Sequence, residues 1–534
     1  MKIYVPIFTA ALPYNIPLEQ SPAIPSPQPW LLGTGLFVAV IAAIKLLLHL
    51  YAGRHYGFFG DELYYVACAQ HLAWGYVDQP PLIALVAKLV RLTLGDSLPA
   101  LRLIPALAGT ASVLLAGLIT RELGGRRFAQ GLAALAVLCA PGYQALDSLF
   151  TMNSFEPLIW MGCAYLVIRI IRTGNAKLWL WFGVLSGVGL ENKHSVLIFG
   201  FGIVVGLVFT PERRWLRSPW LWLGGLIAFL IFLPNLLWNI QHHFPFLELQ
   251  ENIRRSGRNV SMPPLSFIGQ EILAMLPLSA PIWFAGLWWF FGSRQGKPFR
   301  VLGWAWLSTA AVIMTLSPRT YYLFPAFPIL FAAGGVIWER WLSGPRPRWI
   351  TPVYITLMIA MSALLAPTVM PLLPPETYIR YSAATHLQQQ RIETRKMGPL
   401  PQLFADQFGW PELAATIAGV YNRLPPDVRA KTAIFGRSYS QAGAVDLFGP
   451  KYGLPPAISG HQSYYLWGPR GYTGESVIVM GGNPVDLAGL FTSVEKVARV
   501  EHPYSMPDQH FDVYYCRGMK MALSDYWPKV KLWD

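Results

Sequence analysis

Apolar residues fall along this chain in blocks of about 15–22, separated by short polar breaks, which is helix rather than strand spacing. The blocks at 30–51, 103–120, 127–141, 156–171, 178–192, 195–210, 219–237, 271–291, 301–316, 322–338 and 349–368 each read as a helix crossing a bilayer. The chain is therefore expected to cross about eleven times. Several blocks are short for a full hydrocarbon layer and need neighbouring helices or local thinning to cross it.

Lys and Arg set the sidedness. Arg121, Arg126 and Arg127 share one loop; Arg169, Arg172 and Lys177 the next on that side. Arg213, Arg214 and Arg217, then Arg294, Lys297 and Arg300, then Arg340, Arg346 and Arg348 continue the series. The alternate loops are poorer, and 141–155 has no basic residue at all. The rich loops are therefore expected in the cytoplasm. That places the N-terminus inside and everything after the last block outside.

Two outer loops are long, 52–101 and 238–270. The first holds an amphipathic run from Ile83 to Leu94, suited to a helix lying on the membrane surface. Residues 1–29, with one early Lys and scattered prolines, read as a loose tail rather than a cleaved signal. Residues 30–368 form the transmembrane domain. From 369 to 534 mixed polar sequence replaces the apolar blocks and predicts a separate extracytoplasmic α/β domain. Lys431–Phe435 and Ser476–Met480 read as its buried strands, and Pro411–Asn422 as an amphipathic helix.

Composition agrees. Hydrophobic residues make up 54% and charged residues 13%, too little charge to cover a soluble surface of 534 residues. The net charge of +14 would suggest nucleic acid in a soluble protein. Here the inner loops account for it, and no nucleic-acid partner is expected. Of the four cysteines, Cys139 and Cys163 sit in apolar blocks as packing residues, whereas Cys68 and Cys516 face the same compartment, where a disulfide is an open alternative.

The candidate chemistry gathers in the outer loops. Asp61 and Glu62 stand just after the first span, in GDELYY. Asp61 reads either as a cap on the next helix or as a catalytic carboxylate. Asp78 lies downstream in YVDQPPL. Asp147 reads equally as a solvated loop residue, and Glu156, before Pro157, as a first-turn carboxylate favoured by the helix dipole. Glu191-Asn192-Lys193-His194 is a polar knot between two spans, where charge needs partners. Arg254, Arg255 and Arg258 form an outer basic cluster, read as a solvated face or as an anion site. Arg319 lies in SPRTYY with Tyr321 and Tyr322. The sequence contains no Walker loop, no HExxH and no CxxC.

In order and spacing these residues resemble the polyprenyl-phosphate-dependent glycosyltransferases of the GT-C class, in the bacterial branch related to protein O-mannosyltransferases and the lipid A aminoarabinose transferase. The likeness runs over roughly Trp30–Leu365. It rests on Asp61-Glu62, Asp78–Pro81, Leu101-Arg102-Leu103, Glu156-Pro157-Leu158, Gly187–Lys193, Pro234–Asn239 and Tyr321–Pro328. Gln79 departs from the Lys of the aminoarabinose transferases, and Glu156 from the more usual Asp.

The resemblance implies a sugar donor carried on a polyprenyl phosphate, and a glycan, lipid or protein acceptor at the outer face of the inner membrane. It implies Asp61 as general base, with Glu62 and Glu156 orienting it or sharing a divalent metal ion with it. Lys193, Arg254, Arg255 and Arg319 become candidates for the donor phosphate; Asp78, His194, Tyr321 and Tyr322 for substrate contacts. A lipid-sugar flippase and a non-catalytic envelope assembly protein are the alternatives.

Overall fold

The computed structural model describes residues 35–257, 263–316, 319–344, 347, 349–387 and 396–534. The tail 1–29, the start of the first span and Arg258 lie outside the described residues. Among the described residues, sixteen α-helices lead up to the C-terminal domain. They are α1 Gly35–Ala52, α2 Gly60–Gln70, α3 Leu82–Thr93, α4 Leu98–Glu122, α5 Arg127–Cys139, α6 Pro141–Leu146, α7 Glu156–Thr173, α8 Leu178–Asn192, α9 Val196–Val208 and α10 Pro219–Gln241. Then come α11 Pro245–Ser256, α12 Pro264–Ala274, α13 Ala280–Gly292, α14 Arg300–Leu316, α15 Phe327–Leu342 and α16 Ile350–Val369.

Every predicted span coincides with helix, with two differences. The second begins earlier, at Leu98, because Ser97 caps it by accepting from Ala100 N–H. The span predicted over 271–291 is broken: the segments on either side of Met275–Leu276 meet at 96°. Leu276 has φ +72°, and Pro277 comes next, without an N–H to continue the ladder. Among the described residues, 7 helical stretches are long and apolar enough to cross a membrane, and two bent pairs bring the number to 9. The helices α5 and α8 are shorter, at 13 and 15 residues.

Contacts among the loops agree with the predicted alternation. Arg172 pairs with Glu122 at 2.6 Å, joining two of the basic loops. The Glu339 carboxylate accepts from Arg126 N–H and Ala129 N–H, and Arg340 bonds Gln295, joining three. At the other end, the loop after α1 packs on the C-terminal domain. An even number of crossings must separate those two.

The bundle is apolar on its outside as well as within. Trp222, Leu226, Phe229 and Leu230 of α10 are exposed, the surface that acyl chains cover. Between spans, glycine permits close backbone approach. A Cβ at Gly206 of α9 would sit 2.3 Å from the Val301 carbonyl of α14, and one at Gly202 would sit 2.6 Å from that of Ala305. Asp147, for which a solvated loop position is one of two equal readings, is buried with Lys45 at 2.7 Å. Lys45 is the one ammonium in the first span, and an unpaired charge there is costly, so it recruits the carboxylate. Gly109 makes room: a Cβ there would be 2.2 Å from Asp147 Oδ2.

After α16 the C-terminal domain forms a five-stranded sheet in the order β2-β1-β3-β5-β4. The strands are β1 Thr432–Gly436, β2 Ile458–Ser459, β3 Ser476–Met480, β4 Phe491–Val500 and β5 Phe511–Met519. β2, β1 and β3 run parallel; β5 is antiparallel to β3 and β4. The two predicted strands are β1 and β3, and the predicted amphipathic helix is Trp410–Tyr421. All four cysteines are buried and unbonded. The domain is not free-standing. One core joins Leu63, Tyr64 and Val66 of α2 to Ile434, Val445 and Ile478 of the sheet domain.

Candidate active site

The turn entering α2 carries the first acidic pair and splits it. Phe59 is the N-cap, and its N–H bonds Glu62 Oε2 at 2.8 Å. The capping role open to Asp61 is thus filled by Glu62. Glu62 is fully buried, and Arg102 grips it through Nε and Nη2 at 2.9 Å each. Phe150 N–H adds a bond at 2.8 Å. Glu62 therefore does not share a ligand or a proton with its neighbour; it fixes the turn on which Asp61 stands. Arg102 Nη2 also bonds the Gly57 carbonyl and Gln407 Oε1, tying span, loop and C-terminal domain together.

Asp61, in the first helical turn, opens on a cavity of roughly 440 Å³ between α2 and the C-terminal domain. Tyr439 Oη donates to its Oδ1 at 2.7 Å. Nothing in the sequence links positions so distant, so this contact escapes a reading by motif. Asp78 lies behind it, within 2.9 Å of the Tyr64 hydroxyl, which also touches Ser463 Oγ at 2.7 Å. Burial, reinforced by the charge of Asp61, pushes Asp78 up to about 7 against the bond from Tyr64.

The sign of that shift gives a test. A carboxyl raised from 3.8 to about 7 binds its proton more tightly when folded. The stability it contributes is present below its unfolded value and is lost as pH rises toward 7. Asp78→Asn is expected to melt above the parent at pH 8, with the gap closing near pH 4 in detergent thermal melts. A gap independent of pH counts against the assignment.

A second polar cluster surrounds Glu156. Glu156 opens α7, as predicted, and is buried. Lys193 Nζ meets it at 2.8 Å and Asn153 Oδ1 at 2.7 Å, and Ser195 Oγ donates to its other oxygen. The ammonium also lies 4.1 Å from the centre of the Tyr322 ring, which stacks on Tyr321. Arg319 is close enough for its charge to act on Tyr322. His194 points elsewhere, 3.1 Å from Asn235 Oδ1, and burial holds it below its usual range. Within the knot at 191–194, Asn192, Lys193 and His194 are thus anchors, Asn192 bonding the Met152 carbonyl, whereas both Glu191 oxygens are buried without a hydrogen-bond partner among the described residues.

Two expectations change. Arg254 and Arg255 lie at the exposed end of α11, each paired with Glu251, and neither lines the Asp61 cavity. Their helix instead buttresses the chain's end through Asn252 to the Trp533 carbonyl and Glu248 to Lys531. Glu156 spends its oxygens on Lys193 and Ser195 rather than on an ion shared with Asp61, and among the described residues no three His, Cys, Asp or Glu side chains gather as a metal site built from protein ligands alone.

Known proteins share this fold. The model of the dolichyl-phosphate-mannose-protein mannosyltransferase family matches residues 78–238. ArnT from Cupriavidus metallidurans bound to undecaprenyl phosphate superposes over 90% of this chain and 98% of its own, with a TM-score of 0.59 at 15% identity. The fold is that of the GT-C glycosyltransferases. The archaeal oligosaccharyltransferase AglB from Archaeoglobus fulgidus, in complex with an inhibitory peptide and a dolichol-phosphate, also shares the GT-C fold, with a TM-score of 0.51 at 13% identity over 85% of this chain and 70% of that one. The lipid A galacturonosyltransferase RgtD of Rhizobium johnstonii is 26% identical over 325 residues, 58% of this chain. The match spans 65% of that relative's length. The GT-C resemblance carried by the spaced motifs is thus shared by family model, relative and fold.

Proposed function

We propose that this chain is a membrane glycosyltransferase that moves a sugar from a polyprenyl-phosphate-linked donor to an acceptor hydroxyl or amine at the outer face of the inner membrane. The observation that carries the reading is Asp61, presented on the α2 wall of a cavity with Tyr439 holding one oxygen. Its role is modest and specific. A phosphate leaves without a proton, so no second carboxylic acid is required, unlike glycoside hydrolysis. Asp61 takes the proton of the acceptor nucleophile as that atom bonds to the anomeric carbon. The bond from that carbon to the phosphate oxygen breaks, and polyprenyl phosphate departs with the electron pair. One displacement inverts the centre.

The Lys193–Tyr322–Arg319 cluster, which like Arg254 and Arg255 stands outside the lining of the Asp61 cavity, is the candidate place for the donor phosphate, where cations and phenols stabilise the charge as it develops. The basic inner loops support an outer location for the site and the C-terminal domain. The named activities of RgtD and ArnT's bound undecaprenyl phosphate support the donor class.

The test is direct. Purified full-length protein with a panel of radiolabelled polyprenyl-phosphate sugars and an envelope extract is expected to release polyprenyl phosphate and label an acceptor. Sugar lipid that crosses vesicles intact, with no release, overturns the enzyme reading in favour of a flippase.

A further inference from the structure

The wall of the cavity opposite Asp61 belongs to the C-terminal domain, at a particular place in its sheet. From β1 the chain goes out to β2 on one side and returns to β3 on the other. The reversal therefore falls between β1 and β3. The residues just beyond the carboxyl ends of these two strands, Arg437-Ser438 and Gly481-Gly482, line the cavity. Open parallel sheets seat ligands in this crevice because the two chain directions diverge there and leave a gap. Gly481 and Gly482 adopt φ of +84° and +110°, and the Arg437 stem lies across them, its Cδ 3.7 Å from where a Gly481 Cβ would stand.

We propose that this crevice is the acceptor subsite and that it takes a saccharide through its hydroxyls rather than through a phosphate; the acceptor role rests on the transferase reading above. Three observations select the ligand class. First, the N-terminus of helix Tyr439–Phe448, where an anion would dock, has its first and third N–H groups already taken. Gln441 Oε1 accepts from Arg437 N–H at 2.8 Å, Ser438 Oγ accepts from Gln441 N–H, and His461 Nδ1 accepts from Tyr439 N–H. Second, carboxylates outnumber cations on the walls: Asp61, Asp406, Asp508 and Asp534 line the cavity against the one guanidinium of Arg437, with His461 Nε2 at 3.1 Å from Asp534. Carboxylates repel phosphate and accept from hydroxyls. Third, Trp410 and Phe511 add aromatic surface among these polar groups, the mixture that suits a sugar ring's apolar face and polar rim. The volume falls within the roughly 300–1,000 Å³ of small-molecule sites. Held there, a saccharide has its hydroxyls on the same cavity as the Asp61 carboxylate.

Binding can be read without donor, so it stands or falls independently of transfer. Full-length protein in detergent is applied to an array of defined neutral and phosphorylated oligosaccharides. Arg437→Ala removes an exposed side chain, and Asp508→Trp fills the cavity from a surface turn; Lys431→Ala, remote on the sheet domain, is the control. Neutral oligosaccharides are expected to bind wild type and Lys431→Ala, and to bind both crevice variants about ten-fold or more weakly, a loss of about 1.4 kcal/mol, with melting temperatures unchanged. Equal binding by the crevice variants, a preference for phosphorylated members, or no binding at all overturns the proposal. Saccharide binding by a protein that never releases polyprenyl phosphate would leave the crevice assigned and the transferase reading refuted.

Discussion

Asp61→Asn is expected to lower sugar transfer by about 10²–10⁴-fold, the range for loss of a general base, while the protein stays folded. The substitution keeps size and keeps an oxygen for the Tyr439 hydroxyl. The helix loses no cap, because Glu62 rather than Asp61 bonds the Phe59 N–H. What disappears is the capacity to take a proton. Donor affinity should persist, so the fall belongs in turnover rather than in the donor's apparent binding constant. Full transfer by the variant in membranes supplied with labelled donor ends the assignment.

Arg102→Met is expected to cost about 3–5 kcal/mol of stability, the range for stripping one partner from a buried ion pair. Glu62 has no exposure and would be left with two backbone N–H donors and no counter-ion. The Gly57 carbonyl and Gln407 would lose their donor in the same step. Gln407 belongs to the C-terminal domain, so the docking of that domain should loosen together with the turn that carries Asp61. Thermal unfolding and limited proteolysis of the segment 396–534 measure both. An unchanged melting temperature and an unchanged cleavage pattern would show the network to be dispensable.

The shared core changes what a truncation means. Removing the C-terminal domain would uncover Leu63, Tyr64 and Val66 along with the crevice wall. Loss of activity on truncation would therefore report a damaged α2 as much as a missing subsite, which is why point variants on the crevice are the sharper probe.

Much of the architecture was readable in the order of residues. Apolar blocks and alternating Lys and Arg are local signals, and bilayer thickness and charge asymmetry act on each block separately. The helix positions, the strands β1 and β3 and the carboxylates after the first span came from such signals. Tertiary structure decided which of those carboxylates serve the packing and which faces a cavity. Asp147 went to Lys45, Glu62 to Arg102 and Glu156 to Lys193, while Asp61 faces a cavity whose far wall lies more than half the chain away. A buried charge takes whichever partner the packing brings near, and that choice depends on contacts between segments that no local pattern encodes.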